Sequence, residues 1–126
     1  MNVLIVALDA VVPPEVTEAE VLVVAPALNS RLRHWVSDED AARRRAKTLA
    51  EGLAELLKTD GVRAAGQAGD SDPLLAIADA LRTFPADEIV IAGRPPRWNS
   101  LDRLVSRIRH RFALPIRAAD SLARTA

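Results

Sequence analysis

The chain has 126 residues and no cysteine, no tyrosine, two tryptophans, two phenylalanines and one methionine. Without cysteine there are no disulfide staples, no thiol nucleophile and no cysteine-based zinc site, and a reducing cytosol is the simpler expected compartment. Only Trp35, Trp98, Phe84 and Phe112 are aromatic, too few for a stacking platform that grips single-stranded nucleic acid. No apolar run approaches the roughly 20 residues of a membrane helix. The opening residues show neither a basic stretch nor a small-residue cleavage site, so no signal peptide is expected. Net charge is absent too: 17 Lys/Arg balance 17 Asp/Glu.

What is present suits one α/β domain over residues 1–126. About half the residues are apolar, mostly Ala, Val, Leu and Ile, which fits a parallel sheet covered by helices. The charge is unevenly placed. Residues 1–92 carry nine Lys/Arg against fifteen Asp/Glu, while residues 93–126 carry eight Arg against Asp102 and Asp120. That basic quarter reads first as a solvated helix face and second as a site for an anion or acidic partner.

Continuous apolar runs at Val3–Leu8 and Val21–Ala25 predict strands buried on both faces. Their connection, Ala10 to Glu20, holds Pro13-Pro14 and leaves little room for a crossover helix. Either one turn at Pro14–Thr17 makes the crossing or the first strand pairs elsewhere. Ser37, followed by Asp38, Glu39 and Asp40, reads as an N-cap with acids in the first turn. The helix behind it has an expected apolar face of Ala42, Ala46, Leu49, Leu53, Leu56 and Leu57, and Lys58 with Gly61 marks its end. A weaker strand is expected over Val62–Ala68.

Asp72-Pro73 then predicts a capped start for a short helix burying Leu74, Leu75, Ile77, Ala78, Leu81 and Phe84. A strand follows at 88–92. Asn99 or Ser100 caps a last helix striped by Leu101, Leu104, Val105, Ile108 and Phe112. Burying those five would contribute roughly 8–15 kcal/mol gross, at about 1.5–3 each. Residues 115–118 make a short final strand, and residues 121–126 read as a frayed tail. The order β, β, α, β, α, β, α, β implies a three-layer sandwich with a mostly parallel five-stranded sheet.

Four segments in this order resemble the universal stress protein family, within the adenine-nucleotide α-hydrolase-like folds. They are Leu4–Asp9, Gly69-Asp70-x-x-Pro73 with Ile77, Ala86–Gly93, and Leu114-Pro115-Ile116. The likeness covers residues 20–118 well and residues 1–19 poorly. It implies strand order 3-2-1-4-5, a homodimer through the last strand, and an ATP loop of the form Gly-x2-Gly-x9-Gly-Ser/Thr. Glycines there let backbone amides approach the phosphates.

The chain departs from that loop. Gly93 matches the first glycine, Pro96 stands at the second, and Ser106-Arg107 stands where Gly-Ser/Thr is expected. Counted back from Pro115, the pair is Asp102-Arg103 and the loop is about four residues short. Pro95 and Pro96 carry no amide hydrogen. ATP binding is therefore expected to be weak or absent, with ATP or another adenine nucleotide the cofactor to test.

Arg94 and Arg97 read first as loop arginines that face water, and second, with the capped helix start, as a site that holds a small anion by charge rather than by a glycine nest. Asp9 at a strand end suits a ribose or adenine edge, as its family counterpart does, or simply a turn. The candidate cofactor-binding residues are thus Asp9, Ala25, Gly93, Arg94, Arg97, Asn99 and Ser100. His34 near Asp38, Glu39 and Asp40 is an unspecific metal pattern that helix capping already explains. His110 lies between Arg109 and Arg111, off the apolar stripe, and is expected to be exposed. Arg43-Arg44-Arg45 reads as a solvated helix face, with no DNA-reading motif around it. No catalytic residues and no metal ligands are assigned, and neither nucleic acid nor membrane is an expected partner. The leading expectation is a non-catalytic, homodimeric, cytoplasmic stress-protein-like domain. A nucleotide-binding stress sensor is the alternative, and a small phosphotransfer or hydrolytic enzyme the second.

Overall fold

A computed structural model describes residues 1–9, 16, 19–28, 39–95 and 100–119. Among these residues five strands form one sheet: β1 (Asn2–Ala7), β2 (Glu20–Pro26), β3 (Arg63–Gly69), β4 (Glu88–Ala92) and β5 (Ile116–Ala119). Every neighbouring pair is parallel and the order is β3-β2-β1-β4-β5. Among the described residues three helices cover it: α1 (Glu39–Thr59), α2 (Pro73–Thr83) and α3 (Leu101–Arg111). The expected three-layer α/β sandwich is the fold.

The question left by the short first connection is answered by register. Asn2 pairs with Glu20 and Val6 with Val24, so β1 and β2 are parallel neighbours. The proposed turn at Pro14–Thr17 lies outside the described residues, apart from Val16, which packs on the core. On its other side β1 pairs with β4, Val3 with Glu88 through Ala7 with Ala92. Asn2 anchors the start of that seam: its backbone N–H donates to Asp87 Oδ2 at 2.8 Å, and its carbonyl accepts from Asp87 N at 2.7 Å.

Alternation along β1 divides the core in two. Val3, Ile5 and Ala7 face the side covered by α1; Leu4 and Val6 face α2 and α3. All five are buried, as a central parallel strand requires.

α1 packs through Ala42, Ala46, Ala50, Leu53, Ala54 and Leu57. This corrects the expected face at one position: Leu56 is 51% exposed, while Ala50 and Ala54 take the sheet side. Small residues bring the helix backbone close. A Cβ on Gly66 of β3 would lie 2.8 Å from Glu51 N, so glycine there permits the approach. α1 ends in a Schellman motif: Val62 N donates to Leu57 O at 3.0 Å and Gly61 N to Lys58 O at 2.9 Å, with Gly61 at φ +85°. The expected Ser37 cap and Asp38 lie outside the described residues.

In α2 the Asp72 carboxylate accepts from Leu74 N at 2.9 Å and Pro73 opens the first turn. Its buried face is Leu74, Ala76, Ile77 and Ala80. Leu75, expected inside, is 44% exposed, and Ala78, Leu81 and Phe84 are half-buried. In α3, Ser100 is the cap, its Oγ accepting from Arg103 N at 3.3 Å. Leu104 and Ile108 are fully buried, while Leu101, Val105 and Phe112 are half-buried against the same cluster. The two buried side chains contribute roughly 3–6 kcal/mol gross, at about 1.5–3 each.

Candidate functional site

The sheet order fixes where a ligand crevice lies. From β1 the chain leaves toward β2 on one side, and from β4 it leaves toward β5 on the other. The carboxyl ends of β1 and β4 are therefore the topological switch point, the usual binding crevice of an open α/β sheet. Asp9 follows β1 and Gly93 follows β4, so two of the sequence-derived candidates meet there.

Their contact is close. Leu8 N donates to Ala92 O at 2.8 Å and extends the β1–β4 ladder to the brink of the crevice. Gly93 then turns with φ +90°, a conformation that glycine adopts without steric cost. Asp9 stands over this turn: a Cβ on Gly93 would lie 2.9 Å from both Asp9 Cγ and Asp9 N. Arg94 N donates to Asp9 Oδ2 at 3.4 Å.

Gly93 N–H donates to Ala119 O at 3.2 Å, Arg94 N–H to Asp9, and Pro95 has none. Residues 93–95 thus present no uncommitted amide hydrogen to the crevice. A carboxylate occupies the concave side of the glycine, where a phosphate cradle needs open space and positive potential. Asp9 and Arg94 are exposed.

The remaining candidates divide. Ala25, near the end of β2, is fully buried in the core on the α1 side, which leaves only its backbone for a ligand. Ser100 is exposed, and its hydroxyl accepts from Arg103 N. Arg97 and Asn99 lie outside the described residues, as do Pro96, His34, Trp35 and Trp98.

Among the described residues no polar or charged side chain is buried, and no group of three or more His, Asp or Glu is placed to hold a metal. No helix of the described residues is long and apolar enough to cross a membrane. Arg43, Arg44 and Arg45 are exposed on α1, and His110 is exposed on α3.

Sequence reading missed one feature. A groove of about 660 Å³ runs between α3 and β5, lined on the helix side by Leu101, Asp102, Val105, Ser106, Arg109 and His110 and on the strand side by Ile116 and Ala118. It shares no residue with the Asp9–Gly93 corner. The residues two turns apart on α3 were its only signal in the sequence, and they read equally well as a solvated flank of the apolar stripe. No protein-family model matches the chain, and no curated protein matches it.

Proposed function

We propose that the chain is a non-catalytic, universal stress protein-like domain of the cytoplasm that acts as a homodimer through β5, with adenine-nucleotide binding weak or lost. The sheet order agrees with that family's architecture, which supports the reading without singling it out, because fold alone does not carry function. The observation that carries the weakened nucleotide site is the spent turn after β4. Its two amide hydrogens are committed, to Ala119 O and to Asp9, and the third residue is Pro95. A phosphate entering there would also meet the Asp9 carboxylate, a like charge at close range.

Calorimetry with ATP and magnesium at millimolar concentration tests it. The expected result is no binding heat and no thermal shift. A dissociation constant in the micromolar range would overturn it and establish the sensor reading. That second reading has one specific support. Asp9 is exposed at the switch point, and Arg94 N engages Oδ2 alone, which leaves Oδ1 as an acceptor for a ribose hydroxyl or an adenine amino group. If the sensor reading holds, Asp9→Asn abolishes the binding heat.

A further inference from the structure

No charged side chain of helix α3 has an ion-pair partner among the described residues, and two of opposite sign, Asp102 and Arg109, line one groove. Asp102 is in its first turn and Arg109 in its last; both are exposed, and neither has an ion-pair partner among the described residues. They are seven residues apart, roughly 10 Å along a helix at 1.5 Å per residue, too far to meet each other. Each complements the helix dipole at its own end. Both also line the α3–β5 groove, with the half-buried Val105 and exposed Ser106 between them.

The helix side of that groove is self-complementary. Its positions, 101, 102, 105, 106, 109 and 110, read the same from either end about a midpoint between Val105 and Ser106. A second α3 laid antiparallel about a two-fold axis at that midpoint sets Asp102 against Arg109 of the second copy, and Arg109 against Asp102 of the second copy. Val105 meets Ser106 at the centre. Two charges without partners in one chain become two ion pairs in the pair of chains, as an isologous interface demands.

The strand side meets the same symmetry. Ile89 N donates to Pro115 O at 2.9 Å and Gly93 N to Ala119 O at 3.2 Å, so those β5 carbonyls point toward β4. Alternation along the strand then turns the N–H and C=O groups of Ile116 and Ala118 outward. An antiparallel copy of β5 centred on Arg117 pairs Ile116 with Ala118 on both sides of the axis; it sets Arg117 opposite its own copy, a like-charge contact that the Arg117–Glu88 ion pair at 3.6 Å offsets within each chain.

We infer that the α3–β5 groove seats a second copy of this chain, keyed by reciprocal Asp102–Arg109 pairs that fix an antiparallel, two-fold arrangement. The inference rests on the homodimer reading above and adds the surface, the register and the residues that specify it.

A charge exchange tests it, read as the dimer dissociation constant by sedimentation at low salt on variants whose circular dichroism shows them folded. Asp102→Arg and Arg109→Asp each place like charges at both contacts. Each is expected to weaken association on the order of tenfold or more, because every change counts twice across the axis. The double variant restores both pairs in reverse and is expected to recover most of the loss. A dimer whose affinity is unchanged in both single variants overturns the groove assignment while leaving the homodimer intact; a native chain that stays monomeric at millimolar concentration overturns both.

The chain's lack of cysteine gives a second test that leaves the charges alone. Ser106→Cys introduces a sole thiol beside the proposed axis, and Arg44→Cys places one on the exposed face of α1. Under a mild thiol oxidant, Ser106→Cys is expected to yield a covalent dimer well ahead of Arg44→Cys. Equal rates overturn the arrangement.

Discussion

Gly93 turns the chain at φ +90° directly under the Asp9 carboxyl group, and two separate costs would meet any side chain placed there. One is the backbone conformation, which L-residues rarely adopt. The other is the approach to Asp9 atoms within 3 Å. Gly93→Ala is therefore expected to destabilise the fold by about 1–3 kcal/mol, read as a lower urea midpoint with an unchanged slope. An unaltered midpoint would show that the turn relaxes freely. Gly69 answers a different need at the far side of the sheet: a Cβ there would lie 2.7 Å from Ala76 Cβ and 2.8 Å from Val24 Cγ2, so it lets α2 settle on β2. At this scale Asp9 and Gly93 were each legible as strand ends. Their contact was not, because they stand 84 positions apart and no local pattern ties a carboxylate to a turn at that distance.

Among the elements, α3 was the most legible, since four of its residues and the C-cap Phe112 recur as an apolar stripe at helical spacing and nothing else on the helix competes with them. Ser100 was one of two cap residues offered, and the hydrogen bond to Arg103 N selects it. α1 and α2 were read less well for one reason. Alanine fills either face of a helix, so Ala50, Ala54, Ala76 and Ala80 gave no sign of being the buried side, and Leu56 and Leu75 drew attention by size alone. What decides burial there is the close approach that small residues permit, which is a property of the packed pair of elements. α3 also carries the clearest energetic expectation. Ile108 is fully buried in a cluster with residues of β1, β2, β4 and α2, so Ile108→Ala is expected to cost about 2–5 kcal/mol, measured by chemical denaturation. A loss below about 1 kcal/mol would mean that the helix is not held through this side chain.

For the whole molecule, β1 and β4 lie in the interior of the sheet. Each has neighbours on both sides and residues buried on both faces, whereas β3 lies at an edge with Arg63, Ala65 and Gln67 exposed. Hydrogen exchange is expected to spare the β1 and β4 amides longest, with β3 exchanging on the order of tenfold or more sooner. Equal protection of β3 and β1 would contradict this ranking. Strand order was expected from family resemblance, and the pairing of β1 with β2 stayed open in the sequence because the intervening chain is too short for the usual helix. The central place of β1 has a consequence for how the protein is made. As the chain leaves the ribosome, β2, α1 and β3 follow β1 directly and cover one of its sides, but β4 arrives only after residue 87. Until then Val3-Leu4-Ile5-Val6-Ala7 keeps an open, apolar flank, the kind of surface on which nascent chains stick to one another. A chain cut off before β4 is therefore expected to aggregate where the full chain does not, a liability that the stability of the finished fold does not measure.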